Sequence, residues 1–246
     1  YDPAKPTPVV LNFHGFTSNA TQQASYSGMT RKADEARFVA VHAEGVGAAQ
    51  SWNAGACCGG AAESKVDDVA FVGALLDELE AKLCVDAKRI FATGMSNGGF
   101  LSHRLACELS SRIAAIAPVA GVLGIPTCTP SRPVPVMHFH GTLDALVPYL
   151  GVVSPTRSFP SVAATVDGWA QRNGCTDAPR TTVQRGDTLC ETRDACDAGS
   201  EVTLCTITGG GHTWPGAIPI PAMGHTSLSI RATDAMWAFF ERHPMP

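Results

Sequence analysis

No run of the 246 residues reaches the ~18 apolar positions of a membrane-spanning helix, so no membrane partner is expected. There is no basic excess either. The formal net charge is −4, which leaves no electrostatic footprint for nucleic acid. Charged residues make up 16% and hydrophobic residues 45%, a globular balance somewhat poor in charge. No C-x-x-C pair occurs and no Cys/His cluster has zinc-finger spacing, which argues against metal and redox sites. Internal repeats, low-complexity tracts and linkers are lacking, so one domain over residues 1–246 is expected. The chain does not open on a charged-then-apolar signal segment, as expected of a mature form.

Cysteine, by contrast, is plentiful. Nine are too many for an ordinary cytosolic chain of this size, so disulfides and an oxidising compartment are expected. The odd count leaves at least one thiol, with adjacent Cys57 and Cys58 as its candidates. The segment "DTLCETRDACDAGSEVTLCTI" reads as a β-hairpin with its loop near residues 194–200. That register sets Cys190 nearly opposite Cys205, within reach of a bridge.

Apolar segments alternate with helical ones. "PTPVVLNFHG", "RFVAVHAEG", "KRIFATG", "RIAAIAPVAG", "VPVMHFHG" and "EVTLCTITGGG" read as strands. In "ESKVDDVAFVGALLDELEAKL", Val66, Val69, Val72, Leu76, Leu79 and Leu83 recur at helical spacing. "NGGFLSHRLACELS", "SVAATVDGWAQRNG" and "SLSIRATDAMWAFFERH" read as further helices. Near-continuously apolar strands between helices predict an α/β fold, a mostly parallel sheet with helices on both faces. A disulfide-rich excursion is expected near residues 175–205.

"ATGMSNGGF" carries the pattern G-x-S-x-G around Ser96, between a predicted strand and a predicted helix. A nucleophile elbow needs that context. A structural glycine-rich turn would show the same letters, so partners must decide. A serine hydroxyl attacks poorly unless a base takes its proton. In this architecture an acid and then a histidine follow the serine along the chain. Asp144 follows the strand "VPVMHFHG" directly, whereas Asp167 and Asp177 fall on a helix and in a polar loop. "GHT" occurs twice, giving His212 and His225 as candidate bases. His212 follows the last strand through three glycines and is favoured. His225 is expected at the start of the final helix, with Thr226 or Ser227 as cap. His138 and His140 read as core histidines or as groups behind the site. An oxyanion hole would draw one backbone N–H from Asn97 and another from Phe16 in "NFHGFTS".

"HGFTSN", "SWNAGACCG", "VDDVAF", "ATGMSNGG", "LACELSSRIAAIAPVAG", "RPVPVMHFHGTLDALVPY" and "GGGHTWPG" resemble the polyhydroxybutyrate depolymerase/feruloyl esterase family of secreted serine esterases. The resemblance runs from Tyr1 to about Gly216 and into the final helix. It implies an α/β-hydrolase fold, secretion to the exterior or periplasm, and Ser96, Asp144 and His212 as the triad. It also implies a Cys175–Cys196 disulfide. Members usually carry one or two strands before the segment matching "YDPAKPTP", so the first edge strands are expected to be missing. An appended polymer-binding domain is not expected, which argues against efficient attack on crystalline polyester.

The expected partner is an ester, small-molecule or polymeric, acted on by a monomer with no metal or organic cofactor. Activity is expected to fall as the base protonates, below about pH 6 to 7. Trp52, in a loop of small residues, and Trp214, beside His212, are expected to line the cleft as aromatic walls. The segment "ALVPYLGVVSPTRSFPS" is expected to form part of the same wall. No long hydrophobic lid is present, which argues against a lipase. Three readings follow: an aryl or hydroxyalkanoate/aromatic polyester esterase, a feruloyl or acetyl esterase of plant polysaccharides, and a non-catalytic binding protein on a hydrolase scaffold.

Overall fold

The computed structural model describes residues 1–154 and 157–246. In chain order the elements are β1 (Thr7–Phe13), α1 (Ala20–Ser27), α2 (Met29–Ala36), β2 (Val39–Val41), α3 (Gly59–Glu63), α4 (Asp68–Lys82), β3 (Val85–Met95), α5 (Asn97–Glu108), β4 (Ala115–Val119), β5 (Val136–Gly141), β6 (Val152–Ser154), β7 (Arg157–Phe159), α6 (Val162–Arg172), β8 (Arg180–Arg185), β9 (Thr188–Arg193), β10 (Val202–Ile207) and α7 (Ala232–Glu241). The main sheet has the order β2-β1-β3-β4-β5-β10-β9-β8. Its first six strands are parallel, and β9 and β8 extend it antiparallel. Among the described residues no helix is long and apolar enough to cross a membrane.

Every residue of β1, β4 and β5 is buried, because helices cover both faces of the sheet. Successive side chains of a strand point to opposite faces, so each strand feeds two cores. Val9, Leu11, Ile90 and Ile116 pack with Phe100 and Leu105 of α5 and Trp169 of α6. Val10, Phe91 and Ala115 pack with Met29 of α2 and with α7. Phe91 stacks on Phe240 of α7 with ring centroids 4.5 Å apart.

Of the elements that the sequence reading does not predict, α1 and β8 lack an apolar stripe. Only Gln23 and Ser27 of α1 are buried, and α1 docks through polar contacts. Gln23 Nε2 donates to Asn12 Oδ1 at 2.8 Å, and Asn12 Nδ2 donates to Ser27 Oγ at 2.9 Å. Strand β8 is exposed at every position. The final helix starts later than its sequence suggested. Arg231 stands at its cap without a side-chain hydrogen bond, and residues 225–229 are spent elsewhere. His225 Nε2 and Ser227 Oγ both bond Asp187, so neither Thr226 nor Ser227 caps α7.

The cysteines pair as Cys190–Cys205 and Cys175–Cys196, both within the 175–205 excursion, and also as Cys107–Cys128 and Cys57–Cys58. The last pair corrects the expectation of a free thiol there: Cys57 and Cys58 bond each other, and Cys84 is the free one. Cys190 and Cys205 are direct cross-strand partners of β9 and β10.

The buried Asn12 amide makes a concrete prediction. Asn12→Ala leaves the Gln23 amide and Ser27 hydroxyl without that partner, so the unfolding free energy is expected to drop by roughly 1–3 kcal/mol. Urea denaturation with an unchanged slope checks this; an unaltered midpoint would refute the polar docking of α1.

Candidate active site

Ser96 occupies the junction of β3 and α5 at φ 55° and ψ −121°, a conformation that costs a non-glycine residue of order 1–3 kcal/mol. Its N–H donates to the Val119 carbonyl at 2.9 Å, and its carbonyl accepts the Phe100 N–H at 2.9 Å. The flanking glycines are needed for space. A Cβ on Gly98 would lie 2.2 Å from the Phe13 carbonyl oxygen, and one on Gly94 would lie 2.6 Å from that same atom. Thus α5 begins in backbone contact with the end of β1, and the turn presents Ser96 to a cleft that His212 also lines.

The acid and base candidates come from the loops after β5 and β10. Those loops are knitted by Thr142 N–H to the Ile207 carbonyl and by Leu143 N–H to the Gly210 carbonyl, each 2.9 Å. A Cβ on Gly141 would sit 2.3 Å from the Gly210 oxygen, so only glycine permits this approach. Asp144 Oδ1 accepts the N–H groups of Leu146 and Val147 at 2.9 and 2.8 Å. Its Oδ2 faces His212 Nδ1 at 2.7 Å. Burial pushes the Asp144 carboxyl up, but the hydrogen bond and charge of His212, aided by His140 and the Val147 N–H, hold it below the usual carboxylate range. An ionised carboxylate only accepts, so Nδ1 carries the proton and Nε2 of His212 is left as the acceptor. His225, the other candidate base, lies away from Asp144 on Asp187.

The loop after β1 is fixed by His14, which is fully buried. Its Nε2 accepts the Gly45 N–H at 2.9 Å, so the neutral ring carries its proton on Nδ1, 2.8 Å from the Gly15 carbonyl. Burial lowers the His14 pKa, in keeping with that neutral form. Phe16 follows. As the first residue of α5, Asn97 has an N–H with no intrahelical acceptor. Its side chain does structural work, accepting the Trp52 N–H at 2.7 Å and donating to the Trp52 carbonyl at 2.9 Å.

Trp52 and Trp214 are corrected. Each is 1% exposed and belongs to the interior, not to the cleft surface. The indole of Trp52 donates to the His14 carbonyl at 3.0 Å and packs edge-on to Phe13. That of Trp214 donates to Thr233 Oγ1 at 3.0 Å under α7. The cleft, about 1070 Å³, takes its aromatic surface from Phe16, Tyr26 and Phe159 instead. Leu146, Val147 and Phe159 belong to the expected wall segment 145–161, of which residues 155–156 lie outside the described residues. Thr17, Gln22 and Glu63 add polar lining, and Cys57 and Cys58 border it too. Tyr26 and Gln22 ride on α1, the helix without an apolar signature, so no pattern in the sequence marked them. The exposed Phe16 ring was legible as part of "HGFTSN" but was read only for its backbone.

His138 and His140 are buried in β5 with His103 of α5 beneath them. Burial is the main reason all three have lowered pKa values, His103 to about 3.

A strand, strained elbow and helix at the centre of the sheet, with the candidate acid and base following in that chain order, define the α/β-hydrolase class. Within it, the chain belongs to the family described as esterase PHB depolymerase, whose family model matches residues 4–177. Feruloyl esterase B of Piromyces equi is 35% identical over 220 residues, covering 85% of this chain and 40% of the relative. Putative esterase NocK of Nocardia uniformis subsp. tsuyamanensis is 32% identical over 229 residues, covering 85% and 66%. The chain thus spans two fifths to two thirds of the length of these two relatives. Among solved structures, an acetyl xylan esterase from Aspergillus awamori shares the fold with a TM-score of 0.68 at 14% identity, covering 96% of this chain and 89% of that one. The crystal structure of esterase PE8 does so with a TM-score of 0.58 at 15% identity, covering 98% and 94%.

Two measurements test this geometry. Gly98→Ala drives a Cβ into the backbone of β1 and is expected to cost about 3 kcal/mol. Gly73→Ala, in open space on α4, is expected to gain about 0.5–1 kcal/mol. Equal effects in urea denaturation would contradict the close approach. The second concerns pH. His14, His103, His138 and His140 have folded-state pKa values below their unfolded value, so the unfolded chain binds more protons below about pH 6.5. Their contribution is full above that pH and is lost on acidification, by up to ~1.4 kcal/mol per pH unit for each histidine. The urea midpoint is expected to fall from pH 7 to pH 5; a flat profile would refute neutral burial.

Proposed function

We propose that the chain is a secreted serine carboxylic-ester hydrolase with Ser96 as nucleophile, His212 as base and Asp144 as the carboxylate that orients it. The observation that carries this reading is the 2.7 Å Asp144–His212 hydrogen bond beside a cleft that Ser96 shares. His212 Nε2 takes the Ser96 proton as Oγ attacks the ester carbonyl, and Asp144 stabilises the imidazolium. The Phe16 and Asn97 N–H groups bind the oxyanion, at about 3 kcal/mol per donor. The proton passes to the departing alcohol, and water releases the acid by the same path. Such a pair argues against a purely binding role. The disulfide pairs support an oxidising compartment, outside the cell or in the periplasm. The proposed working unit is a monomer.

For the substrate, the apolar and aromatic walls support an ester with an aryl or hydroxyalkanoyl acid part, as in polyester-type substrates. A feruloyl or acetyl ester of a plant polysaccharide is the second reading. It is favoured by the relative Feruloyl esterase B and by the polar lining at Thr17, Gln22 and Glu63, suited to sugar hydroxyls.

The test is product analysis on methyl ferulate, amorphous polyhydroxybutyrate and a soluble aromatic diester, each with Ser96→Ala as blank. At least one substrate is expected to turn over, with kcat/KM falling by about 10⁴-fold or more in the variant. Ferulate release alone supports the polysaccharide reading; hydroxybutyrate or aromatic acid at comparable rates supports the polyester one. Turnover undiminished in a folded Ser96→Ala protein would overturn the nucleophile.

A further inference from the structure

Three buried histidines with no part in the proposed chemistry form a continuous file leading to Asp144. The Trp169 indole N–H on α6 donates to His103 Nδ1 at 2.9 Å. His103 Nε2 lies 3.3 Å from His138 Nδ1, and His138 Nε2 lies 3.0 Å from His140 Nδ1. His140 Nε2 lies 2.8 Å from the Val147 carbonyl. An indole N–H only donates and a carbonyl only accepts, so both ends of the file are fixed. One proton assignment satisfies every link: each ring neutral, with its proton on Nε2. The lowered pKa values of the three rings agree with that assignment.

The end of the file meets the acid twice. His140 Nε2 is 3.5 Å from Asp144 Oδ2, the oxygen that accepts His212 Nδ1–H. Val147, whose carbonyl His140 holds, donates its own N–H to Asp144 Oδ1 at 2.8 Å. Other groups face the file, and the Gly121 backbone carbonyl is a further partner of the His103 ring. His212 lies beyond Asp144, and Tyr149 stands edge-on to His140 with its hydroxyl on Thr206. At the far end the Arg172 guanidinium lies 5.7 Å from the Trp169 ring centroid.

We propose that the file Trp169–His103–His138–His140 is a one-way hydrogen-bonded strut in which His140 is a positioning residue for Asp144. His140 seats Val147 under one carboxylate oxygen and turns an N–H toward the other. The proposal rests on the reading of Asp144 and His212 as acid and base. Weakening the strut leaves Asp144 more basic, so it favours the His212 imidazolium and moves the acid limb of the rate profile to higher pH.

Imidazole ¹⁵N–¹H NMR tests the strut without activity. His103, His138 and His140 are each expected to show protonated Nε2 and bare Nδ1, unchanged from pH 8 to pH 5. An Nδ1–H on any of them, or titration in that range, would overturn the strut. Kinetics test its effect. His140→Leu is expected to lower kcat by roughly 10- to 100-fold with KM nearly unchanged, and to raise the acid limb. His140→Gln, which keeps a donor at the ε position, is expected to recover part of the loss. Trp169→Phe removes the remote N–H together with part of the buried ring volume, for which Val166→Ala is the packing control, and is expected to shift the limb the same way, less far. Val166→Ala, a packing change on the same helix, is expected to lower stability without moving the limb. If Trp169→Phe behaves like Val166→Ala and His140→Gln like His140→Leu, the file is packing alone and the proposal fails. A wild-type protein without turnover would sink the esterase reading instead and leave the NMR result standing.

Discussion

The site depends on one backbone contact, the first turn of α5 lying against the end of β1. Gly98 touches the Phe13 carbonyl so closely that no side chain fits between them. This contact sets the strained conformation of Ser96, because β3 must turn into α5 without moving the helix off the sheet. It also sets the spacing of the two proposed oxyanion donors. Phe16 follows Phe13 by three residues, and Asn97 precedes Gly98. A Cβ on Gly15 would lie 3.3 Å from Ser96 Cβ, so the loop after β1 closes directly over the elbow. The strain at Ser96 persists because the surrounding backbone over-determines it.

A second close approach, between Gly141 and Gly210, does the same for Asp144 and His212. The loops after β5 and β10 share backbone hydrogen bonds before either side chain is considered. Asp144 and His212 therefore meet as fixtures of a double loop. Behind them the buried histidines extend this order into the core, where polar side chains with complete hydrogen bonding hold one geometry. The Asn97 amide plays the matching part on the other side, clasping the backbone of Trp52 and so the loop that bears Cys57 and Cys58.

How much of this was legible follows from what leaves a mark in one sequence. Parallel strands covered on both faces leave apolar runs, and these disclosed β1, β3, β4, β5 and β10. Strand–turn–helix context and chain order pointed to Ser96, Asp144 and His212 as candidates, and the structure sets the last two in contact. Elements held by polar contacts left no such mark: α1 docks through Gln23, Asn12 and Ser27, and β8 is a solvent-facing edge. Tryptophan near a motif was misleading, because Trp52 and Trp214 are buried beneath the loops of the candidate site. Adjacent cysteines looked like a place for a spare thiol, yet they bond each other. The histidine file spans α5, β5 and α6, so only the fold could assemble it.

The central claim is that Ser96 is a nucleophile activated by the Asp144–His212 pair. The most direct measurement is covalent trapping with an organophosphonate ester, followed by intact-mass and peptide-mass analysis. The account predicts a single phosphonyl adduct on Ser96, forming rapidly in the native protein and very slowly in a folded His212→Ala protein. Absence of an adduct, an adduct on another residue, or equal labelling after His212→Ala would contradict it.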